Sequence, residues 1–75
     1  MQQELTPGQR AILHEDGSQA EVEVLENKCV PGREAYRLRV IKILRDTDIG
    51  TQALSNGQEF DVDQPVGLKM WELKL

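Results

Sequence analysis

Turn-forming pairs punctuate this chain from end to end: Pro7-Gly8, Asp16-Gly17, Pro31-Gly32, Asn56-Gly57, and Pro65 with Gly67. Short runs rich in Val, Ile and Leu lie between them. Brief apolar runs set between turns of this chemistry are the pattern of a small all-β domain. With 75 residues the chain has room for one core, so residues 1–75 are read as a single domain.

The strands follow from side-chain alternation. In "RAILHEDGSQAEVEV" the Asp16-Gly17 pair predicts a two-residue hairpin turn. That turn pairs Glu15 with Ser18, His14 with Gln19, Leu13 with Ala20, Ala11 with Val22 and Arg10 with Glu23. Ala11, Leu13, Ala20, Val22 and Val24 then share one face, and Arg10, Ile12, Glu21 and Glu23 the other. In "EAYRLRVIKILR" a helix would set Arg37 among the leucines and isoleucines. A strand instead puts Tyr36, Leu38 and Val40 on one side and Arg37 and Arg39 on the other. Folding this strand back through the loop holding Pro31-Gly32 predicts Val24 opposite Tyr36, Val22 opposite Leu38 and Ala20 opposite Val40. Glu23 then faces Arg37, Glu21 faces Arg39, and Arg10, Glu23 and Arg37 form a row. Each such exposed pair contributes roughly 0.2–1 kcal/mol.

After Val40 the alternation fails, because "VIKIL" is apolar at nearly consecutive positions. A bulge or bend near Val40-Ile41 is expected, turning Ile41 or Ile43 into the core. "TQALSNGQEFDV" reads as a further hairpin, pairing Ala53 with Phe60 and Thr51 with Val62, with a short helix over 48–54 as the alternative. "KMWELKL" places Trp71, Leu73 and Leu75 inward and Met70, Glu72 and Lys74 outward. Five to six short antiparallel strands with such a bend resemble a small, partly open barrel of the SH3-like or OB-like kind. Barrels of this kind host unrelated functions, so the resemblance carries no activity.

Charge and cysteine usage narrow the function classes. Nine Lys+Arg against 13 Asp+Glu give a net charge of −4, which disfavours generic attraction to nucleic acid or anionic membranes. One cysteine, Cys29, cannot form an internal disulfide, so a reducing, cytoplasmic setting is expected. "MQQELTPGQR" has neither the basic start nor the apolar stretch of a signal peptide, and no segment has the apolar length of a membrane span.

Candidate chemistry is sparse. Cys29 lies near Lys28 and Arg33, neighbours that favour a thiolate, but thiol catalysis needs a base and the one histidine, His14, belongs to another strand. Glu59, Asp61 and Asp63 share a strand face at roughly 7 Å intervals, too far apart for one cation to bind all three. Asp46 and Asp48 read as loop or cap residues. Tyr36, Phe60 and Trp71, the three aromatics, all fall on the core face, leaving no stacking platform for nucleic acid. No zinc spacing, phosphate-cradling glycine loop or serine triad occurs.

The expected function is therefore a non-catalytic, protein-binding accessory module without cofactor, catalytic residue or metal site, existing as a monomer or weak homo-oligomer. The candidate contact surface is Arg10, Ile12, Arg37 and Arg39, an apolar side chain framed by arginines. The alternatives are single-stranded nucleic-acid binding through Arg10, Arg37 and Arg39, and a small enzyme or redox protein using Cys29.

Overall fold

The computed structural model describes residues 5–15, 17–45 and 55–75. They form five strands: β1 (Arg10–Glu15), β2 (Ser18–Asn27), β3 (Arg33–Arg45), β4 (Glu59–Pro65) and β5 (Trp71–Lys74). All pair antiparallel in one sheet of order β4-β3-β2-β1-β5, curled into a half-barrel. The fold is the small, partly open barrel that the turn spacing implied, with five strands among the described residues.

The β1–β2 register is the expected one at every position from Arg10↔Glu23 to Glu15↔Ser18. Gly17 has φ 83°, the left-handed backbone that a residue with a Cβ adopts only at a cost. Ala11, Leu13, Ala20, Val22 and Val24 are all buried on the concave side. Val22, Val24, Leu38 and Val40 lose essentially all contact with water. Burial on that scale stabilises by roughly 1.5–3 kcal/mol per side chain.

The β2–β3 register differs from expectation by two residues at Val22 and Val24 and by three beside the turn. Val24 faces Leu38, Val22 faces Val40, and Tyr36 lies opposite Asn27. The causes are a turn tighter than the sequence suggested and an irregularity at Leu25, which has no opposite number between Val24↔Leu38 and Glu26↔Arg37. Val30 and Arg33 exchange backbone hydrogen bonds of 3.1 and 2.9 Å around Pro31-Gly32, with Gly32 at φ 83°, so pairing runs right up to the turn. The turn alone would shift the pairing by three and reverse the faces; the extra residue at Leu25 brings the slip at Val24 and Val22 to two, so the core set survives it. It does re-pair the charges. Arg39, not Arg37, lies opposite Glu23, and the row across the sheet is Arg10, Glu23, Arg39 and Glu59.

The expected bulge is present. Val22 pairs with Val40 and Glu21 with Lys42, leaving Ile41 without an opposite number. The phase of the strand changes there, so Lys42 points out and Ile43 packs against the core. Trp71 is buried and Leu73 packs on the core as expected, but Leu75 is 65% exposed, lying beyond the last paired residue of β5. The pairings expected for Thr51 and Ala53, and the alternative helix, lie outside the described residues; Phe60 and Val62 of β4 sit opposite Leu38 and Tyr36.

Two corners are built alike. In Thr6-Pro7-Gly8-Gln9, Gln9 N donates to Thr6 O, Thr6 N donates to Gln9 Oε1, and Gly8 N donates to Val24 O. In Ser55-Asn56-Gly57-Gln58, Gln58 N donates to Ser55 O, Ser55 N to Gln58 Oε1, and Gly57 N to Val40 O. Val24 N and Val40 N return the bond to Gln9 O and Gln58 O at 2.8 and 2.9 Å. Each clip leads straight into a strand, β1 or β4, and fastens it to the centre of the sheet.

Candidate functional site

Arg10, Ile12, Arg37 and Arg39 do share the convex face, since each alternates with a buried neighbour. The arginines there are engaged by acids. Arg39 bonds Glu23, Arg10 lies 3.9 Å from Glu21, and Arg37 reaches Asp61 and Glu59 at 3.2 and 3.3 Å. The Arg37 pKa is raised, first by its hydrogen bond to Asp61 and the charge of that group, then by Glu59. An arginine is already charged at neutral pH, so the shift expresses pairing rather than a switch. Ile12 is half-buried between Glu21 and Lys74 on the flanking strands. The acidic run of β4 meets basic partners of its own: Arg33 bonds Asp63 at 2.7 Å and Lys28 lies 3.7 Å from Asp61. This face is a lattice of matched charges.

The larger apolar exposure lies at one end of the barrel, in the loop between β4 and β5. Val66, Leu68 and Met70 are 50, 52 and 59% exposed, and Val30 on the β2–β3 turn is 57% exposed. The backbone carrying them is fixed. Leu68 N donates to Pro65 O in a turn, and Val66 N donates to Gly32 O, tying this loop to the turn that bears Val30. At its far end the buried Gln64 side chain accepts from Met70 N at 2.8 Å and Trp71 N at 3.2 Å, and donates to Trp71 O at 3.0 Å. Lys69 sits between Leu68 and Met70, exposed, and enters no ion pair among the described residues. The side chains are thus presented to solvent on an anchored loop.

Beside this loop, Lys69, Met70, Trp71 and Glu72 border an open depression of about 270 Å³ that continues over His14, Glu15, Gly17 and Ser18. His14 lies opposite Gln19 and Glu72 on the paired strands. Cys29 lies beyond the opposite end of β2, half-buried against the core, its Sγ 3.5 Å from Ala35 O. The two groups that a thiol mechanism would pair are therefore separated by the length of a strand. Among the described residues no three His, Cys, Asp or Glu side chains group to hold a metal, and no helix is long and apolar enough to cross a membrane.

Tyr36, Trp71 and Phe60 occupy the core side, as the alternation required, with Tyr36 and Trp71 edge to face at 6.3 Å. The apolar loop was the missed feature. Its signal was in "PVGLKM", where apolar residues alternate with Gly and Lys outside any strand that could bury them. Gln64 was also missed, since nothing local marks a strand glutamine as buried. Scanning the chain against protein-family models, curated proteins and solved structures finds no match.

Proposed function

We propose that this chain is a non-catalytic protein-interaction module, an accessory domain of the cytoplasm built on an SH3-like barrel, which docks through the loop at 66–70. The sheet order supports the SH3-like reading, with four strands in a meander and the fifth returning to the first. The observation that carries the function is the solvent exposure of Val66, Leu68 and Met70 on a loop whose backbone is anchored at both ends. Holding the loop in place beforehand lowers the ordering cost of binding. The occupant is a protein segment that brings apolar side chains and a carboxylate, the latter to meet Lys69. A net charge of −4 supports a protein partner over nucleic acid.

The test is a selection of random peptides displayed on phage, panned on the full chain and on its variants. Enriched peptides carry an acidic residue beside apolar ones, and Leu68→Asp weakens them by about tenfold or more. Lys69→Glu removes the acidic preference. Retention lost through Ile12→Asp instead would move the contact to the convex sheet face. Peptide binding indifferent to Leu68, self-association through this loop in sedimentation, or salt-sensitive retention of single-stranded RNA would each overturn the reading.

A further inference from the structure

The two clips differ at one position with chemical consequences: the first holds Pro7 before its glycine, the second Asn56. An asparagine followed by glycine can cyclise. The glycine nitrogen attacks the side-chain carbonyl carbon, its proton passes to solvent, and the side-chain nitrogen leaves as ammonia. Water then opens the resulting succinimide at either carbonyl, giving aspartate or isoaspartate. Asn56 is exposed, and water is the only co-reactant needed.

In the folded chain the nucleophile is occupied. Gly57 N donates to Val40 O at 2.7 Å, at the middle of the sheet's longest strand. Gln58 holds the turn around it through two bonds to Ser55, both 3.0 Å. To reach the Asn56 side chain, Gly57 N must first leave Val40 O. We propose that Asn56-Gly57 is a spontaneous modification site gated by this clip, reactive only when the turn opens locally. Once formed, isoaspartate lengthens the turn by one backbone carbon. It also adds a negative charge to the turn that leads into the acidic strand β4, so the β3–β4 junction does not reclose as before.

The experiment follows amide-to-acid conversion at Asn56 by peptide-mapping mass spectrometry in mildly alkaline buffer. The full chain is compared with a synthetic peptide of residues 53–60. Conversion in the full chain is expected to be about tenfold slower or more, corresponding to a local opening free energy of at least 1.4 kcal/mol. Gln58→Ala, which frees Ser55 N, raises the rate. Gln9→Ala breaks the twin clip at the other corner and leaves the rate at the parent's value. The slowing also matches the hydrogen-exchange protection of the Gly57 amide in the parent protein, a readout that does not depend on any variant folding. Conversion as fast as in the peptide, equal acceleration by both glutamine variants, or Gly57 protection far exceeding the slowing would overturn the proposal.

Discussion

Gln64 does the work of a strand residue with its side chain. Its amide accepts from two backbone N–H groups and donates to one backbone carbonyl, all on the first residue of β5 and the one before it. Those three groups are oriented toward a position where β4 and β5 do not pair. A buried polar group left unpaired costs about 1–3 kcal/mol, so Gln64→Leu, with three partners orphaned, is expected to lose at least about 2 kcal/mol. Gln64→Glu separates the acceptor role from the donor role. As a carboxylate it still accepts from Met70 and Trp71 but faces Trp71 O without a proton to offer. Burial and the facing Trp71 O favour the protonated carboxyl, whereas the Met70 and Trp71 N–H groups favour the carboxylate. The slope of the variant's stability against pH reads which prevails: stability regained as pH falls marks the folded state taking up the proton that Trp71 O needs. The chain's one tryptophan, Trp71, reports both unfolding curves by its fluorescence. A Gln64→Leu variant that unfolds with the parent would show that the amide closes nothing.

At the scale of strands, the charges on the convex face test the register directly. Arg39→Glu is expected to destabilise modestly, and adding Glu23→Arg to recover part of the loss, a coupling of roughly 0.2–1 kcal/mol. Recovery is partial because Arg10 and Glu59 flank the pair. The same cycle between Arg37 and Glu23 is expected to be additive, since Arg37 is held by β4. Coupling there and not at Arg39 would restore the two-residue-shifted register. The bulge makes a second test. Ile43→Ala is expected to cost about 2 kcal/mol and Ile41→Ala clearly less, because only Ile43 packs on the core. Equal losses in denaturant unfolding would mean the strand runs straight. These two tests also mark what was legible. Faces could be read from alternation, and the bulge from the failure of alternation at Ile41. The register could not, because a shift of two residues leaves the apolar pattern intact, and it is set by the tight turn at Pro31-Gly32 together with the unpaired Leu25.

At the scale of the whole molecule, an all-β half-barrel could be read from turn spacing, whereas the return of β5 to β1 could not. No local pattern announces a pairing between Ile12 and Lys74. The apolar loop at 66–70 stayed hidden for a related reason, since exposure is a property of the assembled barrel. The sheet order also has a kinetic meaning. β1 to β4 form by joining neighbours in the chain, but β5 pairs with β1 only across a separation that spans most of the chain's length, although Gln64 ties its first residue locally. The meander is therefore expected to assemble first and β5 to dock late. Leu73→Ala should speed unfolding with little change in the folding rate, while Leu38→Ala should slow folding. Stopped-flow chevrons of the two variants measure this, and a Leu73→Ala variant slow to fold would reverse the order. Until that last strand arrives, β1 is a free edge. The moment of greatest risk for self-pairing thus falls near the end of folding, when four strands are already in place.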